Sequence, residues 1–209
     1  MAALPYNKLL RLKDFANLSS INNYFYALLF RFHSDLHLER SERNDSLSMK
    51  SSILIVYYSN SGNTEKIANF IGQQTGGDML PIQPEEAYPI SYNAVVEQAK
   101  KEIQAGYHPA VKTRIPNLDV YDTIFVGSPN WWSTIAPPVA TFLSQNDLSG
   151  KNIAPFCTHG GGGLGKVAKD IAKLCPGSTI LDSFEIYGDG GGAAQAKLSA
   201  WLEKIKVTK

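Results

Sequence analysis

The segment Ile53–Ile71 constrains the fold more than any other part of the chain. Ile53 to Tyr58 is an unbroken apolar run rich in β-branched and aromatic side chains, the composition of a strand buried on both faces of a parallel sheet. It stops at Ser59-Asn-Ser-Gly-Asn-Thr64, after which Ile67, Phe70 and Ile71 recur at helical spacing. A strand, a short turn and a helix start in direct succession form an anion site, because the free amides of the first helical turn point outward and the helix dipole favours negative charge. Ser59, Ser61 and Thr64 add hydroxyl donors, Asn60 and Asn63 lie between them, and Gly62 lets the backbone come close to a ligand. No Lys or Arg stands between Ser59 and Thr64. The implied anion is a phosphate enclosed by neutral hydrogen bonds. The plainer alternative is an ordinary turn with a helix cap, since Ser and Asn favour turns anyway.

From Met49 onward strands and helices alternate. Met79–Ile82 reads as a second strand, demoted to the edge by Pro81 and Pro84. Ile124–Gly127, Asn152–Cys157 and Thr179–Ile186 read as the third, fourth and fifth. The first helix ends at Gly76-Gly77. The second is capped by Ser91 and runs to about Gln104, with Val95, Val96, Ala99 and Ile103 inward. Helices over Pro138–Leu143, Leu164–Leu174 and Ala193–Ile205 complete the set. This alternation predicts an α/β domain, a doubly wound five-stranded parallel sheet with helices on both faces.

Two further loops leave the same carboxyl edge of that sheet. Gly127-Ser-Pro-Asn-Trp-Trp-Ser133 follows the third strand. Adjacent tryptophans in a loop cannot both enter one core face, so at least one is expected to pack on something else. Cys157-Thr-His-Gly-Gly-Gly-Gly163 follows the fourth, and its glycines remove side chains so that amides can approach a ligand.

Ile55-Val-Tyr-x-Ser-x-x-Gly-x-Thr-x-x-x-Ala-x-x-Ile71 resembles the flavodoxin signature at every defined position. The resemblance implies a sheet of order 2-1-3-4-5, with the ligand at the switch point between strands one and three, a rule for which flavodoxin is itself a standard example. It further implies FMN as cofactor, with its monophosphate on Ser59, Asn60, Ser61, Gly62, Asn63 and Thr64. Ser128, Pro129, Asn130, Trp131, Trp132 and Ser133 are similar to the segment that lines the flavin ring, and flat apolar walls suit a planar ring. Asn130 is placed by this resemblance at the flavin edge, in a backbone that tolerates positive φ, and the Asn130–Trp131 peptide is expected to reorient on reduction. Cys157, Thr158, His159, Gly160 and Gly161 resemble the third flavin loop, at the pyrimidine end. The implied function is non-covalent FMN electron transfer to redox partner proteins or small electron acceptors. An FMN-dependent NAD(P)H oxidoreductase of the quinone type is the alternative, because the fold alone does not separate the two.

Other motifs fail. Gly160-x-Gly162-x-x-Gly165 imitates a dinucleotide fingerprint, but too little chain follows for the remaining strands. Gly160-x4-Gly165-Lys166 imitates a P-loop until Val167, where a Ser or Thr is required. His159-Gly-Gly-Gly resembles an oxyanion motif, yet the chain has no Gly-x-Ser-x-Gly elbow. His33, His37, His108 and His159 make no metal constellation. His159 is read as a packing or hydrogen-bonding side chain before a proton donor, and Cys157 as a buried small hydrophobe before a redox thiol.

Two cysteines are too few for a disulfide framework and point to a reducing, cytoplasmic setting. A formal charge of +1 gives nucleic-acid binding no support, and no apolar run reaches the roughly 20 residues of a membrane helix. Residues 1–48 differ from the rest. They hold six of the twenty Lys+Arg and five of the nineteen Asp+Glu, so Met49–Lys209 carries fourteen of each and is formally neutral. Acidic residues spoil a transit peptide there, although Ile21, Tyr24, Phe25, Leu28, Leu29 and Phe32 have helical spacing. The expected organisation is an extension over 1–48 and an FMN-binding domain over 49–209, with Met49 as the working start.

Overall fold

A computed structural model describes residues 52–207; the expectations for the N-terminal extension lie outside them. The strands are β1 (Ile53–Tyr57), β2 (Asp78–Pro81), β3 (Thr123–Trp131), β4 (Thr134–Ile135), β5 (Asn152–His159), β6 (Thr179–Ile180) and β7 (Phe184–Tyr187). The α-helices are α1 (Asn63–Thr75), α2 (Tyr92–Ala105), α3 (Pro137–Gln145), α4 (Val167–Leu174) and α5 (Ala194–Lys204). The sheet path is β2-β1-β3-β5-β6, with β7 also on β5 and β4 folded back on β3. All pairings except β3–β4 are parallel. Counted over the five main strand positions, this is the expected 2-1-3-4-5 order.

Alternation along the central strands divides the core in two. Leu54, Val56, Ile124 and Val126 face one layer with Val95 of α2, Phe142 of α3 and Ile171 of α4. Ile55, Tyr57, Phe125 and Phe156 face the other with Ile67 and Ile71 of α1 and Leu198 and Trp201 of α5. Each strand residue therefore buries its side chain whichever way the pleat turns it, which is why the strands read as continuous apolar runs.

The fifth strand departs from its expected form. It breaks into β6 and β7 around Leu181-Asp182-Ser183. Both pieces lie along the same edge of β5, and the Leu181 amide still donates to the Ile153 carbonyl at 2.8 Å. Backbone groups of Ile153 therefore face this edge, and so do those of Pro155 two residues on. Proline has no N–H to give, and the ladder stops there. The Nε1–H of Trp201 takes the freed Asp182 carbonyl at 2.8 Å.

Gly127 sits where β3 passes over Phe156. A Cβ at that position would lie 2.1 Å from Cζ of the fully buried Phe156 ring. Gly127→Ala is expected to destabilise the domain by about 1–3 kcal/mol through overpacking. A urea midpoint unchanged from wild type would refute that account.

Candidate functional site

The carboxyl ends of β1, β3 and β5 open into one cleft of about 540 Å³. Its wall brings together Asn60, Ser61 and Asn63 from the first loop, Pro129 to Trp132 from the end of β3, and Thr158, His159 and Gly160 from the end of β5. The wall does not include Ser59, Gly62, Thr64, Ser128, Ser133, Cys157 or Gly161. It does include residues that were not foreseen: Tyr92, Val95, Val96 and Ala99 of α2, Tyr187 at the end of β7 and Gly188 just after it. The apolar stripe of α2 was legible as an inward face, but helical periodicity does not distinguish a face turned to the sheet from one turned to a cavity.

At the first loop, Gly62 enters α1 with φ 86 and no side chain caps the helix. The Lys66 amide makes the first intrahelical bond, to the Gly62 carbonyl at 2.9 Å, so the amides before it are open to a ligand. The Ser59 hydroxyl is buried and has no hydrogen-bond partner among the described residues. Buried polar groups are nearly always satisfied, so an orphan at this position marks a missing partner. Thr64 is committed inward: it is 1 % exposed, and its Oγ1 lies 2.8 Å from Oγ1 of Thr158, tying the start of α1 to the end of β5. Lys66, one turn into the helix, is drawn to Asp189 at 2.6 Å.

The β3 segment corrects the expected loop. The strand runs through Ser128, Pro129 and Asn130 to Trp131, then turns at Trp132-Ser133 and pairs back, Trp131 with Thr134 and Asn130 with Ile135. Positive φ falls on Trp132 (53°) and Ser133 (67°), not on Asn130. The type I′ form of a two-residue hairpin demands that conformation at both central residues, and side chains other than Asn, Asp or Gly adopt it at a cost. The hairpin is fastened on both sides. The Nε1–H of Trp132 donates to the Val96 carbonyl of α2 at 3.1 Å, with Lys100 Nζ 4.9 Å from its ring centre. Opposite, the Lys166 amide donates to the Ser133 carbonyl at 2.7 Å, and Asn130 Nδ2 donates to the Gly163 carbonyl at 2.7 Å. Gly165 permits this approach, since a Cβ there would stand 2.9 Å from the Ser133 carbonyl.

The two tryptophans part company. Trp131 packs edge-on against Tyr58 and Tyr88, with centroids 5.6 and 5.1 Å away, and forms the aromatic floor of the cleft. Behind it the Tyr88 hydroxyl donates to the buried carboxylate of Glu102, which also accepts from Gln98 Nε2 at 2.8 Å. Burial first pushes both phenols well above the ordinary tyrosine range, followed by the hydrogen bond to Glu102 for Tyr88 and by the Glu102 charge for Tyr58. Trp132 remains half exposed at the mouth.

Ser128 is fully buried. Its Oγ donates to the Pro129 carbonyl and accepts the Ala136 amide, both at 2.9 Å, so it fixes the start of α3. Cys157 lies wholly in the core, and burial pushes its thiol up to about 12, which leaves it inert at neutral pH. His159 accepts the Gly161 amide at Nδ1 (3.1 Å) and meets Glu185 Oε2 through Nε2 at 2.6 Å. These partners engage both ring nitrogens and leave neither free for the cleft. Among the described residues no three His, Cys, Asp or Glu side chains stand together as a metal site, and no helix is long and apolar enough to cross a membrane.

A family model described as Flavodoxin matches residues 52–205. A flavoprotein-described structure from Bacteroides eggerthii is similar at 30% identity and a TM-score of 0.67, covering 76% of this chain and 99% of that one. The FMN complex of a flavoprotein from Lactobacillus acidophilus is 23% identical, with a TM-score of 0.57 over 72% of this chain and 98% of that one. Among curated proteins, an NAD(P)H dehydrogenase (quinone) of Azorhizobium caulinodans is 30% identical over 127 residues, covering 52% of this chain. The chain spans only 59% of the length of that relative.

Proposed function

This chain belongs to the flavodoxin family, and from that premise we propose that it holds FMN non-covalently in the cleft and works as an electron-transfer protein. The carrying observation is the orphaned Ser59 hydroxyl in the same loop that leads into the uncapped first turn of α1, a neutral donor set that suits a phosphate. Ser59, Asn60, Ser61, Gly62 and Asn63 would hold the monophosphate, and Thr64 would brace them through Thr158. The ring would lie toward Pro129–Trp132 on one side and Thr158–Gly161 on the other. Bound FMN supplies the capacity to take up and release one or two electrons. The protein contributes position and field. No cation is built into the first loop, and Lys66 is engaged by Asp189, so added negative charge on the ring is disfavoured and the cofactor becomes a stronger reductant.

Titrating the apoprotein with FMN, riboflavin and FAD, read by flavin fluorescence, tests the cradle. FMN is expected to bind tightest, because riboflavin lacks the dianion and FAD replaces it with a bulkier diester. Equal affinity for FMN and riboflavin would sink the site.

A second reading, direct reduction by NAD(P)H with a quinone-type acceptor, is favoured by the name of the Azorhizobium relative and by the formal neutrality of Met49–Lys209. Flavodoxins that dock on basic protein partners are typically acidic, and charge steers such encounters. Anaerobic mixing with NADPH separates the readings: rapid bleaching of the flavin supports the reductase, and inertness supports the carrier. The two buried, unpaired cysteines accord with a cytoplasmic setting.

A further inference from the structure

Glu102 is the single acidic or basic side chain buried among the described residues, at 8 % exposed. A charge in a protein interior is costly unless an opposite charge sits beside it. Here none does. No Lys, Arg or His among the described residues pairs with Glu102. On its outer side a separate cavity of about 240 Å³ also holds His108 and Lys173, and Lys173 is spent on Asp170 at 3.2 Å. The partners of Glu102 are neutral donors, the Tyr88 hydroxyl on Oε2 and Gln98 Nε2 on Oε1. Acceptance at both oxygens is the pattern of the ionised form.

The position of this charge gives it a use. Tyr88 stands between Glu102 and Trp131, the floor of the cleft, and its ring centre lies 5.1 Å from that of Trp131. Tyr58 closes the same aromatic cluster and donates to Asn60 Oδ1 in the first loop at 3.3 Å. The Glu102 charge is felt across the cluster: after burial, it is the next cause that raises the Tyr58 phenol. Apolar rings between a charge and a cleft weaken its field less than water would. Net charge offers no substitute, because Met49–Lys209 is formally neutral.

We propose that Glu102 is a potential-setting residue, a fixed anion behind the aromatic floor that lowers the reduction potential of the ring bound in front of it. This rests on the FMN reading above. Glu102 is not part of the cleft wall, so it acts through its field and not by contact. An electron arriving on the ring meets a negative charge already in place. Salt screens that charge little, because it is buried.

The test is an anaerobic redox titration of the full chain loaded with FMN, wild type beside Glu102→Gln, Glu102→Met and Glu97→Gln. Glutamine keeps the shape and the Tyr88 bond, and the Gln98 amide can turn to accept from it, so this variant should fold. Its flavin is expected to be reduced more easily, by roughly a three- to tenfold change in the one-electron equilibrium constant, or about 30–60 mV. The rise should be the same in low and high salt. Glu102→Met, which removes the charge and the hydrogen bonds together, should give an equal rise. Glu97→Gln removes an exposed charge from the same helix and should leave the potential where it was. Four results would overturn the proposal. They are an unchanged potential in Glu102→Gln, a rise in Glu102→Met alone, an equal rise in Glu97→Gln, or a Glu102→Gln chain that does not fold. The second and fourth would make the carboxylate a packing group, and the third would trace the effect to surface charge. FMN retention is measured first. A wild type that holds no FMN defeats the cofactor reading, whereas one that holds FMN beside an unshifted Glu102→Gln defeats this inference alone.

Discussion

Trp131→Ala should cost the apoprotein about 3 kcal/mol of stability and raise the reduction potential of the bound flavin. The first effect follows from what the ring touches. It makes edge contacts with Tyr58 and Tyr88, worth about 0.5–1.5 kcal/mol each beyond area burial, and truncating a large aromatic in a core typically costs about 3–5 kcal/mol. Part of Trp131 faces the cleft, which places the expectation at the lower end. Its removal also loosens Tyr88, whose hydroxyl holds the buried Glu102. The second effect follows from water. Opening the floor raises the dielectric where charge develops on reduction, so the reduced ring is less penalised and the potential moves up. Trp132→Ala gives the contrast. Half exposed and held by one hydrogen bond and one cation–π contact, it should change stability by no more than about 1 kcal/mol. Denaturant midpoints and a redox titration of both variants decide the matter. If Trp131→Ala keeps wild-type stability and potential, the floor has been misassigned.

Thr64→Val should hurt twice. The valine keeps the shape of the side chain but leaves Oγ1 of the buried Thr158 without its 2.8 Å partner, a loss of about 1–3 kcal/mol in the free protein. It also uncouples the start of α1 from the end of β5, the two ends that the proposed cofactor must bridge. FMN affinity should fall by about a further 1 kcal/mol, the scale of one neutral hydrogen bond that positions the cradle. Ser59→Ala is the informative partner. Its hydroxyl has no bond to lose in the free protein, so stability should hold or rise slightly while FMN affinity falls. A Ser59→Ala protein that binds FMN as well as wild type would break the cradle argument at its strongest point.

The β1–α1 unit was legible because its signals agree: an apolar strand, a hydroxyl turn and a helical stripe, with Gly62 and Gly76 in the left-handed conformation at either end of the helix. The end of β3 was not. Ser128-Pro129-Asn130 has turn composition, yet it continues a strand. The Tyr58 amide donates to the Gly127 carbonyl, so the backbone groups of Pro129 face the side where β1 has already ended, and the missing N–H goes unnoticed. Pro155 carried the opposite signal. It sits with its bare nitrogen toward the sheet edge and accounts for the break between β6 and β7, a clue present in the sequence but readable only once the strand order assigns it a neighbour. The unforeseen wall of the cleft has a similar origin. Nothing in the spacing of Val95, Val96 and Ala99 says that the hairpin at Trp132 would leave room beneath them.

Helix α2 departs from the sheet after β2 and returns to it at β3, and its two connecting segments are sewn to each other. The Glu85 amide donates to the Ala110 carbonyl, the Lys112 amide to the Gln83 carbonyl, and the Gln83 amide to Thr113 Oγ1, each at 2.8 Å. Residues 82–113 thus leave and rejoin the domain through a closed neck, like a drawer in a cabinet. Lengthening or recomposing such an excursion costs little, because loop entropy grows slowly with length and the seam keeps the ends together. Evolution can therefore redraw one whole wall of the cleft by exchanging this drawer, while the loops at Ser59 and His159 stay where the sheet puts them.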